Sequence, residues 1–203
     1  MTDSDVDDDD LWTLPLPAVK YQKLDGIESL KEFINKIPVE HEEEEFLQIT
    51  RDASLIDQVI HKYKNPMFNI KRLLNVRFKS LGAIELGVDA GGPTTEYFYL
   101  LMKELVRGNF NGIKLFEGDD GHWLPKFDYD LASGGMFKLV GRMILHAVLH
   151  NCRGLSGISP AAISYVFSGR RDTVLEHLDV KDIPDPCLRN SLSKLLVCNE
   201  DEL

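Results

Sequence analysis

The stretch GVDAGGPTTEYFYLL, residues 87–101, decides how the rest of the chain is read. Three glycines, a proline and two acids stand before a run with helical periodicity. As a phosphate cradle it fails: no lysine occupies the place where G-x-x-x-x-G-K-[ST] needs one. Gly87, Gly91 and Gly92 also lack the G-x-G-x-x-G spacing of a dinucleotide turn. No serine makes it a nucleophile elbow. As a strand-to-helix corner every residue has a use. Gly91 and Gly92 permit backbone angles closed to other residues. Pro93 suits a first turn, where its missing N–H has no partner to lose. Thr94, Thr95 and Glu96 fill that turn, with the carboxylate near the positive end of the helix dipole. Asp89 can accept backbone N–H groups of the turn. Phe98, Leu101, Met102 and Leu105 form the buried face of a helix ending near Val106.

Working outward, Leu74, Val76 and Phe78 alternate with Asn75, Arg77 and Lys79, which predicts a half-buried strand feeding the corner. Upstream, Asp52 and Ser54 precede Leu55, Ile56, Val59, Ile60 and Tyr63, a capped helix with one apolar face. FLQIT, residues 46–50, reads as a strand. Downstream, GNFNG reads as a turn, IKLFE as a short strand and GDDGHWLP as a loop. Residues 135–150 are apolar on nearly every side, which predicts a helix central to the core. Ser159-Pro160 opens a helix that Gly169 closes, and Asp185-Pro186 opens another. Pro38 and the acidic run 42–45 read as a linker after a short helix over residues 27–37.

Composition bounds the rest. The chain has 203 residues, 43% hydrophobic and 28% charged, enough for one domain with a core. Residues 1–45 carry 14 acids and 4 bases, and residues 46–203 carry 19 of each. A neutral body predicts no nucleic-acid partner. No apolar run is long enough to span a bilayer, and the acidic start is unlike a leader peptide. The expected place is cytoplasm or nucleus. Residues 1–45 are expected to be an acidic, largely disordered arm, in which Ser4 stands before acids as acidophilic kinases require. Residues 46–203 are expected to be the folded body, α+β and mainly α, with a few short strands.

Candidate chemistry is sparse. His146 and His150 are four apart on one helix, but Ala147 stands where a zinc protease motif needs glutamate. They are expected as core histidines, and no metal or cofactor is predicted. Cys152, Cys187 and Cys198 have no pairing or CxxC spacing, and structural thiols are expected.

The order of segments says more than any one of them. LNVRFKSLGAIELGVDAGGPTTEYFYLLMKEL, then KLFEG, then FKLVGRMILHAVLH, then GLSGISPAAISYVFSG together resemble the N-lobe of HECT-type ubiquitin-protein ligases. The long run before His150 is most similar to the divergent HECT domains of cell-cycle-phase-specific ligases. The resemblance covers residues 46–197. It implies ubiquitin transfer through a cysteine thioester, with a ubiquitin-conjugating enzyme and ubiquitin as partners. It marks Gly87, Asp89, Gly91, Gly92, Pro93, Thr94, Glu96 and Phe98 as the family's structural motif. It also implies that this chain is a truncated N-lobe. The nucleophile's Thr-Cys motif is absent, and the docking subdomain is mostly missing, so no catalytic residue is expected here. The family usually has arginine where Thr95 stands, which predicts that an ion pair or hydrogen bond is missing at the helix start. The alternative expectation is a non-catalytic interaction module or competitor derived from such a ligase.

Overall fold

The structure is a computed structural model and describes residues 36–37, 40–85, 91–110 and 112–201. Residues 1–35 and 38–39 of the expected arm, and with them most of the helix over residues 27–37, lie outside the described residues. So do Gly87 and Asp89.

The described residues form a mixed α/β body with seven α-helices and three small sheets. The largest sheet is β1 (Glu40–Thr50), β2 (Arg72–Ser80) and β3 (Ala83–Ile84), with β2 in the centre. β1 and β2 run parallel, with Leu47 beside Val76 and Ile49 beside Phe78. The crossover between them is α1 (Leu55–Lys64). Alternation puts Leu47, Ile49, Leu74, Val76 and Phe78 on the buried face, while Phe46, Gln48 and Arg77 stay exposed.

The stretch upstream of Phe46 differs from the linker expected there. β1 begins at Glu40, so the acidic run is strand rather than linker. Its backbone pairs with β2, and its carboxylates find cations. Arg72 donates to Glu43 at 2.5 Å, Lys62 lies 3.3 Å from Glu45, and Asn75 donates to Glu44 at 3.2 Å. Cross-strand charge pairing of this kind offsets the poor strand propensity of glutamate.

Two positive-φ residues, Leu81 (48°) and Gly82 (83°), turn β2 back into β3. Glycine suits the second position, but leucine must adopt the left-handed region there.

The core is closed by α1, by α2 (Gly92–Arg107) and by α4 (Met136–Leu149). The buried set of α1 is Leu55, Ile56, Val59, Ile60 and Tyr63, and Ser54 caps it by accepting the Asp57 N–H. On α4 the buried residues are Met136, Val140, Met143, His146, Ala147 and Leu149. The rest of α4 is half-buried or exposed, so this helix lines the core without being enclosed by it.

Short hairpins occupy the middle of the chain: β4 (Asn109–Phe110) with β5 (Ile113–Lys114), and β6 (Phe116–Glu117) with β7 (Leu124–Pro125). α3 (Tyr129–Ser133) leads into α4. The C-terminal layer holds α5 (Pro160–Ser168), α6 (Arg171–Leu175), a 3-10 turn at Val180–Asp182 and α7 (Pro186–Asp201). Ser159 caps α5, and Gly169 ends it at φ 64°. This layer leaves Val166, Phe167, Leu175, Leu195, Leu196 and Val197 at 54–70% exposure.

Candidate functional site

Gly91 is the N-cap of α2, at φ 99°. That angle is the left-handed region, so the glycine is required there. Gly92 is different. It lies inside the helix with open space where a Cβ would stand, so only one of the two expected positions needs glycine. Pro93 follows in the first turn, and the Thr95 hydroxyl donates to the Gly91 carbonyl at 2.7 Å.

Two contacts clamp this corner to the sheet. The buried Thr94 hydroxyl donates to the Leu74 carbonyl of β2 at 3.0 Å. Arg51, just after β1, donates to Glu96 at 2.7 Å and also to Glu85 after β3. The guanidinium lies 4.1 Å over the Phe78 ring. Glu85 and then Glu96 hold the Arg51 guanidinium even more firmly charged than usual, and Arg51 in turn lowers the Glu85 carboxyl. Glu96 lies past the first turn, so the ion pair with Arg51, rather than the helix dipole, accounts for its position. The helix start therefore does carry an ion pair, although position 95 is threonine.

Phe98 and Tyr97 are fully buried. The Phe98 ring meets His146 edge-on at 5.0 Å and His150 at 5.5 Å. The Tyr97 hydroxyl donates to the Tyr63 hydroxyl at 3.3 Å, and that hydroxyl lies 2.7 Å from His146 Nδ1. With the Tyr63 proton given to Nδ1, the neutral ring carries its own proton on Nε2, which has no hydrogen-bond partner among the described residues. Burial, then His150 and Arg142, lowers the His146 pKa to about 3. Burial likewise raises Tyr63 and Tyr97. His146 is thus a neutral core residue with one nitrogen already engaged. Among the described residues, no three His, Cys, Asp or Glu side chains converge as a metal site would need.

The flank of α2 that runs from the edge of its buried face out to solvent lines a cleft of about 490 Å³. Thr95, Tyr99, Met102, Lys103, Val106 and Arg107 form its helical wall. Cys152, Arg153 and Ser156, from the segment after α4, face them across Trp123 and Asp120. The Cys152 thiol is half-buried and donates to the His150 carbonyl at 3.5 Å. Burial pushes this thiol up, against a smaller opposing pull from Thr95. That is the reverse of the lowered thiol pKa a nucleophile needs. Cys187 is exposed at the start of α7, and the side chain of Cys198 lies outside the described residues.

A second, more apolar groove of about 450 Å³ lies in the C-terminal layer, among Leu124, Ala161, Tyr165, Val174, Leu175 and Leu178. Its rim is fixed by polar contacts. Asp182 meets His122 Nδ1 at 2.7 Å and accepts the Asp179 N–H at 2.9 Å. Burial raises the Asp182 carboxyl, but His122, Asp179 and Ser159 together bring it below its ordinary value. Arg189 of α7 pairs with Asp119 and donates to the Ile183 carbonyl at 2.9 Å.

Two structural side chains escaped sequence reading. Glu104 accepts from Ser54 Oγ at 2.8 Å, Leu55 N at 3.1 Å and Ile56 N at 3.2 Å, so α2 caps α1 through a carboxylate. Arg142 donates to the carbonyls of Tyr63 at 2.5 Å and of Phe68. Their partners are 48–50 and 74–79 residues away, beyond any local spacing rule.

Compared with protein-family models and with curated proteins, the chain matches none. Among the described residues no helix is long and apolar enough to cross a membrane.

Proposed function

We propose that this chain is a support lobe of the HECT ubiquitin-ligase type, which works by binding and carries no thioester of its own. The motif series supports the reading: strand, glycine-proline corner, Leu-Phe strand, long histidine helix and Ser-Pro helix. Among the described residues these stretches contain β2, the Gly91–Pro93 start of α2, β6 (which takes in Phe116 and leaves Leu115 outside it), α4 and α5. The carrying observation is chemical. Cys152, in the cleft beside α2, is half-buried, donates its thiol proton to the His150 carbonyl and is pushed up by burial, which fits a cleft that binds better than one that holds a nucleophile. The exposed apolar side chains of α5–α7 fit a layer made to be covered by a neighbouring protein surface. Partners in the parent family are a ubiquitin-conjugating enzyme and ubiquitin.

The direct test incubates the chain with activating enzyme, conjugating enzyme and ubiquitin. No thiol-sensitive adduct is expected. An adduct that disappears in Cys152→Ser or Cys198→Ala would overturn the absence of a nucleophile. An experimental structure in which β2, α2 and α4 fail to superpose on a HECT large subdomain would overturn the family reading itself. Added to an active HECT ligase, the chain is expected to slow transfer if it acts as the competitor of the alternative reading.

A further inference from the structure

We propose that the cleft beside α2 is the docking site for the chain's own acidic segment, residues 3–12. Lys103, Arg107 and Arg153 are exposed at its mouth, against the single carboxylate of Asp120. None of the three pairs with a carboxylate among the described residues. Arg51, Arg72, Arg170 and Arg189 do, so the cleft's arginines stand apart from those. Between the cations, Tyr99, Met102, Val106 and Trp123 offer an apolar and aromatic floor.

The occupant has to be anionic, with an apolar or aromatic group close by. Residues 1–10 hold six aspartates and no base, followed directly by Leu11 and Trp12. The chain's charge imbalance also lies in this front part, since residues 46–203 balance. Six carboxylates in so short a run repel one another, and three unpaired cations relieve that repulsion. Trp12 has the ring to stack on an arginine or pack on Trp123. Reach does not forbid the contact. The 27 residues between Trp12 and Glu40 span up to about 90 Å when extended, well over the ~15 Å radius of gyration of a body this size. The inference is independent of the ubiquitin-ligase reading, because it concerns only which segment fills the cleft.

Zero-length carbodiimide coupling of the full chain tests it, since that reagent condenses a carboxylate with a primary amine only when the two are in contact. At low salt, the dominant link from residues 3–10 to the body is expected to be to Lys103, ahead of exposed Lys64, Lys138 and Lys194; links to the α-amine and to Lys20, Lys23, Lys31 and Lys36 form by nearness in sequence and are set aside. In Arg107→Glu/Arg153→Glu, which keeps Lys103, that link is expected to fall about tenfold. It is expected to fall similarly at high salt. A second variant, with residues 7–10 changed to asparagine, leaves the body untouched and should lose binding at the cleft even if the first variant folds poorly; there the link from Asp3 and Asp5 should drop. Links spread evenly over all exposed lysines, or unchanged in both variants, would overturn the proposal. So would a mixed isotope-labelled sample in which the Lys103 link joins two different molecules, for the occupant would then be a second copy.

Discussion

Acid should weaken this fold through one buried ring. In the folded chain His146 stays neutral down to about pH 3, because burial and the nearby His150 and Arg142 oppose its proton. Unfolded, the same ring takes a proton near its ordinary value of 6.5. Below that value the unfolded state binds more protons than the folded one, so stability falls as pH falls, and goes on falling until the folded ring titrates. The slope approaches about 1.4 kcal/mol per pH unit. Between pH 7 and pH 5 the loss from this residue is therefore about 2 kcal/mol, a sizeable share of the 5–15 kcal/mol typical of a domain. Glu85, Asp172 and Asp182 also lose stability in acid, because their carboxyls are lowered in the fold. A comparison with His146→Gln removes that shared part. Glutamine is neutral at both pH values and can still accept from the Tyr63 hydroxyl. Urea unfolding of both proteins at the two pH values gives the double difference. The parent chain should lose about 2 kcal/mol more than the variant between pH 7 and pH 5. Equal losses would refute the placement of His146 as a proton-excluding core residue.

Three further outcomes test the corner and its supports, each read by chemical or thermal unfolding. Gly91→Ala should destabilise by about 1–2 kcal/mol, because an L side chain is forced to positive φ; Gly92→Ala, inside the helix with room for a Cβ, should be neutral or stabilise by up to about 1 kcal/mol. Equal effects at the two positions would contradict the corner geometry. Glu104→Ala should cost about 2 kcal/mol by stripping three donors at the start of α1, and Glu104→Gln should cost less. Leu81→Asn should stabilise by about 1 kcal/mol, since asparagine tolerates the left-handed angle that leucine resists.

The elements were readable wherever their causes are local. The five buried positions of α1 and the alternation of β2 follow from period alone. Ser159-Pro160 with Gly169 marks both ends of α5 because each residue acts on the next few peptides. Reading failed where the cause is distant. The run of glutamates at 42–45 resembles linker until Arg72 and Lys62 supply charge from a second strand and a helix. Glu96 resembles a dipole residue until Arg51, 45 residues earlier, claims it. The Tyr63–His146 contact joins residues 83 apart. The cleft is a stronger case: its walls come from α2 and from the segment after α4, and neither stretch has a binding signature by itself. Lys103 and Arg107 stand one helical turn apart on the second, cleft-lining face of α2, a spacing that the sequence reading passed over.

That second face gives the glycine-proline corner a consequence beyond folding. Successive residues of a helix stand about 100° apart, so one register fixes both sides of α2 at once. With Gly91 as the N-cap, Phe98, Leu101 and Leu105 meet the core while Thr95, Tyr99 and Lys103 meet the cleft. A slip of one residue one way would carry Tyr99 and Lys103 into the buried places of Phe98 and Met102, and a slip the other way would carry Phe98 into the exposed place of Tyr99. Burying an unpaired lysine costs several kcal/mol, so the slip is strongly opposed. The Thr94–Leu74 hydrogen bond and the Arg51–Glu96 pair oppose it from the first turns, where the register is set. The corner therefore positions the cleft, and its Thr95 forms part of the cleft wall. Loosening it should weaken recognition at Lys103 and Arg107 as well as lower stability.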